Sequence, residues 1–503
     1  MGRVSRRRFL SFSTAILTTA CGGGAGPGGG NSPRGAVVDV IRRENAKTQG
    51  VTADWLIADQ DYAANREIEG YASATSVNRG DSISLYVNTT DPNYTISVYR
   101  IGWYGGQGGR QVAGPIRRNG VRQPIPTADA TTGLVECDWD DPYVLSIAAD
   151  PSDPTDWASG IYLAKLTGSS GKQSYVIFAV RDDARNSALL FQSSVITYAA
   201  YNNWGGHSLY SVDSTGGKQA FKVSFNRPYR NPQRPSSGKG AGDFLSWEIH
   251  MLRFLEREGF DVAYTTNIDT HVAPNRLLKS RGFLSVGHDE YWTWAMREAV
   301  EGAHNGGVNL GFFGSNTSYW QVRLEPGARG QPNRTVVAYK QHATEMDPAY
   351  SSDPSRTTCL WRDVPANRPE AALVGVQYDY NTVDLDIVID DLPAWLAAGT
   401  NLAKGSVLRG MLGYEVDRVD RASSPAGLQI LASSPYQVCP EGACTAEIRY
   451  ANMSWYSHQN RAGVFAAGSM QWNWGLDNFG PWGDRVNPAV QQMSRNVLNR
   501  FVG

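Results

Sequence analysis

From residue 45 to about 183, apolar and polar positions alternate with a period of two. The runs are short: "DSISLYVNTT", "YTISVYRIGWY", "GIYLAKLTG" and "QSYVIFAVR", separated by Gly, Asn, Asp and Pro. Alternation places every second side chain on one face, which is the signature of half-buried strands. Helical spacing is hard to find in this stretch. The pattern predicts a β-sandwich of immunoglobulin-like type over residues 45–183. The glycine-rich "GWYGGQGGR" (102–110) lacks the strand–turn–helix setting of a phosphate cradle and is read as a structural turn.

After the polar junction "RDDARN" (181–186) the period changes. "ALLFQ", "FDVAYTT", "FLSVG" and "VNLGFFG" are compact apolar runs, and between them "FLSWEIHMLRFLEREG" and "TWAMREAVEGAHNG" show helical spacing. Gly259 is a helix stop signal. Strands alternating with helices predict an α/β domain over 187–503. Its sheet is expected to be mostly parallel, with helices on both faces, in layers resembling class I glutamine amidotransferase-like or flavodoxin-like folds. "RTVVAYK", "LVGVQYDY" and "GSVLRGMLGYEVD" suggest further strands, with residues 320–410 a candidate insertion. "GVFAAGSMQWNWGL" looks like a strand returning to the sheet. Val490, Met493, Val497, Leu498 and Phe501 fall at helical spacing and predict a closing amphipathic helix.

The N-terminus stands apart. "SRRRFLSF" resembles a twin-arginine export signal, with Arg6 and Arg7 as the pair, and a short apolar segment follows. Cys21 in "LTTAC" sits where a lipobox cysteine would be acylated, although Thr18 replaces the usual Leu. Residues 1–21 are therefore the expected leader and 22–44 a Gly-rich tether. The expected location is the cell envelope, as a lipoprotein, or the extracellular space. An oxidising compartment permits disulfides. The turn-forming residues of "CPEGAC" suit a local Cys439–Cys444 bridge, and Cys137 and Cys359 are the remaining candidates for a second one.

The chain of 503 residues carries 47 basic and 48 acidic groups, for a formal net charge of −1. Four of the arginines lie in the leader, so the body is mildly acidic. That balance offers no electrostatic reason to expect a nucleic-acid partner, and the only membrane contact it suggests is the N-terminal lipid. Fifteen Trp and 24 Tyr are enough to wall a cleft, although large cores absorb them too.

In open α/β sheets, ligands sit beyond the carboxyl ends of the strands. Four strand ends here run into polar, aromatic loops: "VITYAAYNNWGGHSLY" (195–210), "NRPY" (226–229), "GHDEYW" (287–292) and "SNTSYW" (315–320). Gathering so many polar groups is costly unless they pair with one another or with an ion. Carboxylate and phenol oxygens, with few His or Cys, favour a hard, highly charged cation such as ferric iron. Zinc would recruit imidazole or thiolate. The competing view is local: Asp289 or Glu290 could cap the helix that follows, and Tyr201, Tyr229, His288 and Asn316 could be satisfied core or turn residues.

"AYNNWGGHSLY", "FNRPY", "GHDEYW" and "FFGSNTSYW", in that order, resemble the large-subunit family of N,N-dimethylformamidase, in its C-terminal catalytic region. The resemblance implies a mononuclear iron (Fe3+) held by two tyrosinates and a glutamate. Carried over, these are Tyr201, Tyr229 and Glu290, with Tyr198 competing with Tyr201. It also implies His288 and Asn316 as catalytic polar groups and Glu415, in "GYEVD", as general base. His207 in "GGHSLY" is close enough in sequence to support the site. A small amide is the implied substrate, and an oligomer or a small partner subunit is implied as well. The alternative is an exported carbohydrate-processing or carbohydrate-binding surface protein without iron chemistry, for which "WNWG" (472–475) would be the tempting platform.

Overall fold

The computed structural model describes residues 39–230, 243–458 and 462–503. The expected leader, with Arg6, Arg7 and Cys21, and the tether through residue 38 lie outside the described residues. Residues 40–44, grouped with the tether by sequence, instead belong to a helix, Val40–Asn45, that buries Val40, Ile41 and Glu44. The apolar pair Val40–Ile41 gives this segment something to bury, which the glycines before it lack.

Two sheets follow. The larger has six strands in the order Val51–Thr52, Gly109–Asn119, Asn93–Ile101, Gly160–Gly168, Gln173–Arg181 and Ser76–Asn78. The smaller pairs Ile68–Ala72, Ser82–Thr89 and Tyr143–Ser146. Period-two alternation shows directly in burial. Ile83, Leu85 and Val87 of one sheet share a core with Ile96, Val98, Tyr162 and Leu166 of the other.

The second half is organised by a seven-stranded sheet. Its order is Val262–Thr266, Leu189–Ser193, Gly282–His288, Asn309–Ser315, Gly463–Ala466, Ile448–Ser457 and Gln429–Gln437. The first five run parallel, Ile448–Ser457 runs opposite to them, and Gln429–Gln437 pairs antiparallel with it at the edge. Helix Pro488–Val502 lays Phe501 against Gly282 and Gly311, where a Cβ would stand about 3 Å from its ring. A fully buried ion pair, Arg100–Glu256, joins the first half of the chain to helix Ile249–Glu258.

Two further structures draw on the chain that follows strand Asn309–Ser315. One is a four-stranded side sheet, ordered Lys222–Ser224, Thr335–Val337, Trp320–Glu325 and Tyr291–Thr293. The other is a long hairpin of Gln377–Val388 and Val407–Arg418. Cys439 and Cys444 form a disulfide, whereas Cys137 and Cys359 are buried free thiols and do not pair. The "WNWG" segment is packed inside, with Trp472 and Trp474 both buried, so it presents no open platform.

Candidate functional site

Strands Gly282–His288 and Asn309–Ser315 run side by side, with Gly287 opposite Gly314 and His288 opposite Ser315. The backbones come so close that a Cβ on Gly314 would lie 2.1 Å from the Gly287 carbonyl oxygen. Gly287 itself has φ +72°, a region that L side chains seldom adopt. The two glycines let both strands leave the sheet together and deliver His288, Glu290 and Asn316 to its carboxyl edge.

Neither acid of "GHDEYW" caps the next helix. Helix Trp294–Asn305 is capped by Thr293, whose side chain accepts from the Met296 N–H. Asp289 turns back under the sheet and accepts hydrogen bonds from Gln192, Asn267 and Ser285. Glu290 turns the other way, into a buried polar cluster, and its backbone N–H donates to Thr197 Oγ1.

Two phenols converge on that carboxylate. Tyr201, at the end of helix Val195–Tyr201, donates to Glu290 Oε2 at 2.8 Å. Tyr210 lies 2.9 and 3.1 Å from the two carboxylate oxygens and 2.8 Å from the Tyr201 hydroxyl. The two rings stack with centroids 4.5 Å apart. Tyr291 reaches the Tyr210 hydroxyl at 2.5 Å. Buried Lys340 completes the wall. Its Nζ donates to the Leu209 carbonyl at 3.1 Å and to Tyr291 Oη at 3.4 Å, and lies 3.4 Å from the Tyr210 ring centroid.

His288 bridges two carboxylates, with Nε2 3.2 Å from Glu290 Oε2 and 3.2 Å from Glu415 Oε2. Glu415 arrives from the distant hairpin. That hairpin docks through its next acid, two residues on: Asp417 Oδ1 accepts the Asn316 N–H at 2.8 Å, and the Asp417 N–H donates to the Gly468 carbonyl. Asn316 and Lys340 both hold positive φ, +55° and +58°. For residues with a Cβ that strain is concentrated at functional positions.

The electrostatics follow from burial. Burial raises the phenols of Tyr201 and Tyr210 well above the tyrosine range, and the charge of Glu290 adds to it. Burial also opposes ionisation of Glu290, but the hydrogen bond and charge of His288, with Lys340 and Tyr201, prevail and hold it below the ordinary carboxylate range. Desolvation works against protonated His288, yet Glu415 and Glu290 lift it well above the histidine range. Burial lowers Lys340 to about 8, against the pull of Glu290.

The remaining expected site residues are elsewhere. Tyr198 belongs to a separate cluster: its hydroxyl lies 2.9 Å from Ser193 Oγ, which donates to Glu248. Tyr229 packs edge-on against Tyr198, near Arg227 and Arg334, and not in the cluster around Glu290 and Tyr201. The reason lies in topology. Strand Lys222–Ser224 pairs antiparallel with Thr335–Val337 in the side sheet, so its end does not open onto the carboxyl edge of the parallel sheet. The place beside Glu290 is taken by Tyr210. His207 points outward, against the Lys218 carbonyl.

Glu248 supplies a stability test. It is buried and accepts from the Ser193 hydroxyl and the Ser194 N–H, and burial raises it from 4.5 to about 7. Between those two values the folded chain binds more protons than the unfolded one. This contribution to stability is therefore fully present below pH 4.5 and is lost as pH rises through about 7. Buried Asp417, also raised to about 7, acts in the same direction. Urea midpoints measured from pH 4.5 to 8 should fall for the natural sequence. Glu248→Gln should flatten that slope by on the order of 3 kcal/mol across the window; an unchanged slope refutes the assignment.

The assembled group is a buried acid–base cluster at the carboxyl edge of a mainly parallel sheet: two stacked phenols, two carboxylates, an imidazole and an ammonium. Among the described residues no group of three or more His, Cys, Asp and Glu is arranged to hold a metal ion. The donors that could share one here include phenols, which such a set leaves out.

Residues 95–487 match the family model described as N,N-dimethylformamidase beta subunit-like, C-terminal, and the chain belongs to that family. The N,N-dimethylformamidase beta subunits of an Alcaligenes species and of Paracoccus aminophilus are each 26% identical to it over 344 residues. Each match covers 61% of this chain and 42% of the relative. The chain thus matches less than half the length of those relatives. A solved cycloisomaltooligosaccharide glucanotransferase of Paenibacillus sp. matches 39% of this chain and 27% of its own at 12% identity, with a TM-score of 0.15, and carries no argument.

Proposed function

We propose that this chain hydrolyses a small amide, with Tyr201, Tyr210 and Glu290 as the residues that would hold a ferric ion. The observation that carries the reading is the mutual contact of those three side chains, with His288 set between Glu290 and Glu415. The donor set fits the ion. The phenol and carboxylate oxygens lie within 2.8–3.1 Å of one another, and hard oxygen donors of this kind would hold a hard, highly charged cation. Phenols raised this far by burial ionise only beside a strong positive charge. A ferric ion supplies Lewis acidity toward an amide carbonyl or a water.

The chain's own residues supply proton transfer and positioning. Buried Glu415 is paired with His288, whose Nε2 lies 3.2 Å from its Oε2. As a carboxylate it would take a proton from an attacking water and return it to the departing amine as the C–N bond breaks. Protonated His288 places a positive charge between Glu415 and Glu290 and offsets their mutual repulsion, which would hold both carboxylates in place for the reaction. Asn316, whose Oδ1 is without a partner, can orient the water. Lys340 and Tyr291 brace Tyr210 from behind, and the aromatic wall excludes solvent.

Twin-arginine export with an acylated Cys21, and assembly with a small partner subunit, belong to the same proposal. The first is supported by the Arg6–Arg7 leader, and the second by the relatives' description as beta subunits. The test is direct. Protein purified from iron-replete cells should absorb visible light, contain about one iron per chain, and release amine from N-alkyl formamides or acetamides. Colourless, iron-free protein that hydrolyses none of them overturns the reading.

A further inference from the structure

A small cavity, of about 30 Å³, is lined in part by Arg227, whose guanidinium is hydrogen-bonded to the segment between Tyr201 and Tyr210. Its lining brings residues of the N-terminal sheets, among them Tyr71 and Phe178, together with Ser193, Arg227, Tyr229, Thr266 and Arg334, and among the described residues it contains no carboxylate. Arg227 is 2% exposed and Arg334 5%. Their partners are neutral. Arg227 donates to the carbonyls of Trp204, His207 and Asn202, and its Nε has no hydrogen-bond partner. Arg334 donates to Asn226 Oδ1 and the Ala72 carbonyl. Glu136 acts on Arg334 electrostatically without pairing with it; that carboxylate is engaged by Ser224, Asn226 and the Ala328 N–H.

Two guanidinium groups on one cavity, without a counter-charge, are costly to bury. Burial lowers each to about 10, which is still too high for either to lose its proton near neutrality. Among the described residues no carboxylate that lines the cavity meets that charge. We propose that this cavity binds a compact monovalent anion between Arg227 and Arg334, with the Tyr229 hydroxyl as a neutral donor. The absence of a lining carboxylate leaves the site open to an anion. The guanidinium N–H groups left over, Arg227 Nε among them, suit a small oxyanion or a halide. Arg227 also clamps the carbonyls between Tyr201 and Tyr210, so an anion seated on it would stiffen the stretch on which both phenols depend. Nothing in this inference requires that the neighbouring cluster hold a metal.

Thermal unfolding of the full chain should be followed in sodium bromide and in sodium nitrate. The controls are sodium gluconate, whose anion is too large for the cavity, at matched ionic strength. The melting temperature is expected to rise with bromide or nitrate and to saturate, as binding to the folded state requires, and to stay level in gluconate. A response to bromide alone assigns a halide, and one to nitrate alone a planar oxyanion. Tyr229→Phe and Arg334→Gln should each raise the half-saturating concentration about tenfold. Crystals grown in bromide should show an anomalous peak within hydrogen-bonding distance of both guanidinium groups. Equal responses in all three salts, responses unchanged in both variants, or no peak at the cavity would each overturn the proposal. If Arg334→Gln fails to fold, Tyr229→Phe and the bromide peak decide.

Discussion

Glu290→Ala is expected to lower kcat/KM for amide hydrolysis by about 10³-fold, near 4 kcal/mol, with loss of visible absorbance and of bound iron. The size follows from how many groups face this one carboxylate. Tyr201 and Tyr210 both donate to it, His288 lies 3.2 Å away, and Lys340 acts on it through space. Deleting it leaves two buried cations short of a counter-charge and two phenols short of their acceptor. Glu415→Gln is the discriminating control. It should cost a comparable share of the rate, about 10²–10⁴-fold, with iron and colour retained, because its carboxylate touches His288 and neither phenol. A Glu290→Ala protein within about threefold of normal activity would remove the basis of the proposed reaction.

The largest loss of stability should come from Glu256→Ala. Arg100 and Glu256 are both fully buried and meet in a bidentate pair at 2.7 and 3.0 Å. Glu256 also accepts from Asn45 and Tyr264, so one carboxylate ties the N-terminal helix, the six-stranded sheet and helix Ile249–Glu258 together. Removing it strands a guanidinium in an apolar interior, at a cost of about 3–5 kcal/mol, to be read from the urea midpoint. Replacing both partners, Arg100→Met with Glu256→Met, should recover more than half of that loss, because neither charge is then buried alone. If the double variant is no more stable than the single one, the cost lies in packing and not in charge. Glu256 is not part of the Glu290 cluster, so activity per folded molecule should be unchanged in both.

Much of the site was legible before any fold was known, for a local reason. His288 and Glu290 are two residues apart at the end of one strand, and Asn316 follows the strand beside it. Any parallel pairing of "FLSVG" with "GFFG" brings them together, and the observed register does so through Gly287 and Gly314. Tyr210 ends "AYNNWGGHSLY" but carries no local signal, because eight residues of irregular chain separate it from Tyr201. Lys340 gave no signal. It follows a strand in "RTVVAYK" and enters the cluster only because the side sheet folds it over Tyr210.

The sequence by itself determined the elements: alternation marked the strands of the first half, and helical spacing marked the closing helix with Val490, Met493, Val497, Leu498 and Phe501 buried. It also marked the parallel strand ends as the place where polar groups would meet. Tertiary structure alone decided which groups those are. "FKVSF" has the period of a strand, but period cannot say which sheet a strand joins. Because Lys222–Ser224 pairs in the side sheet, Tyr229 faces Arg227 and Arg334, and Tyr210 stands beside Glu290. Glu415 is placed by Asp417 gripping the Asn316 backbone across about a hundred residues of chain, a contact made by hydrogen-bond geometry between distant segments and therefore written in no local pattern.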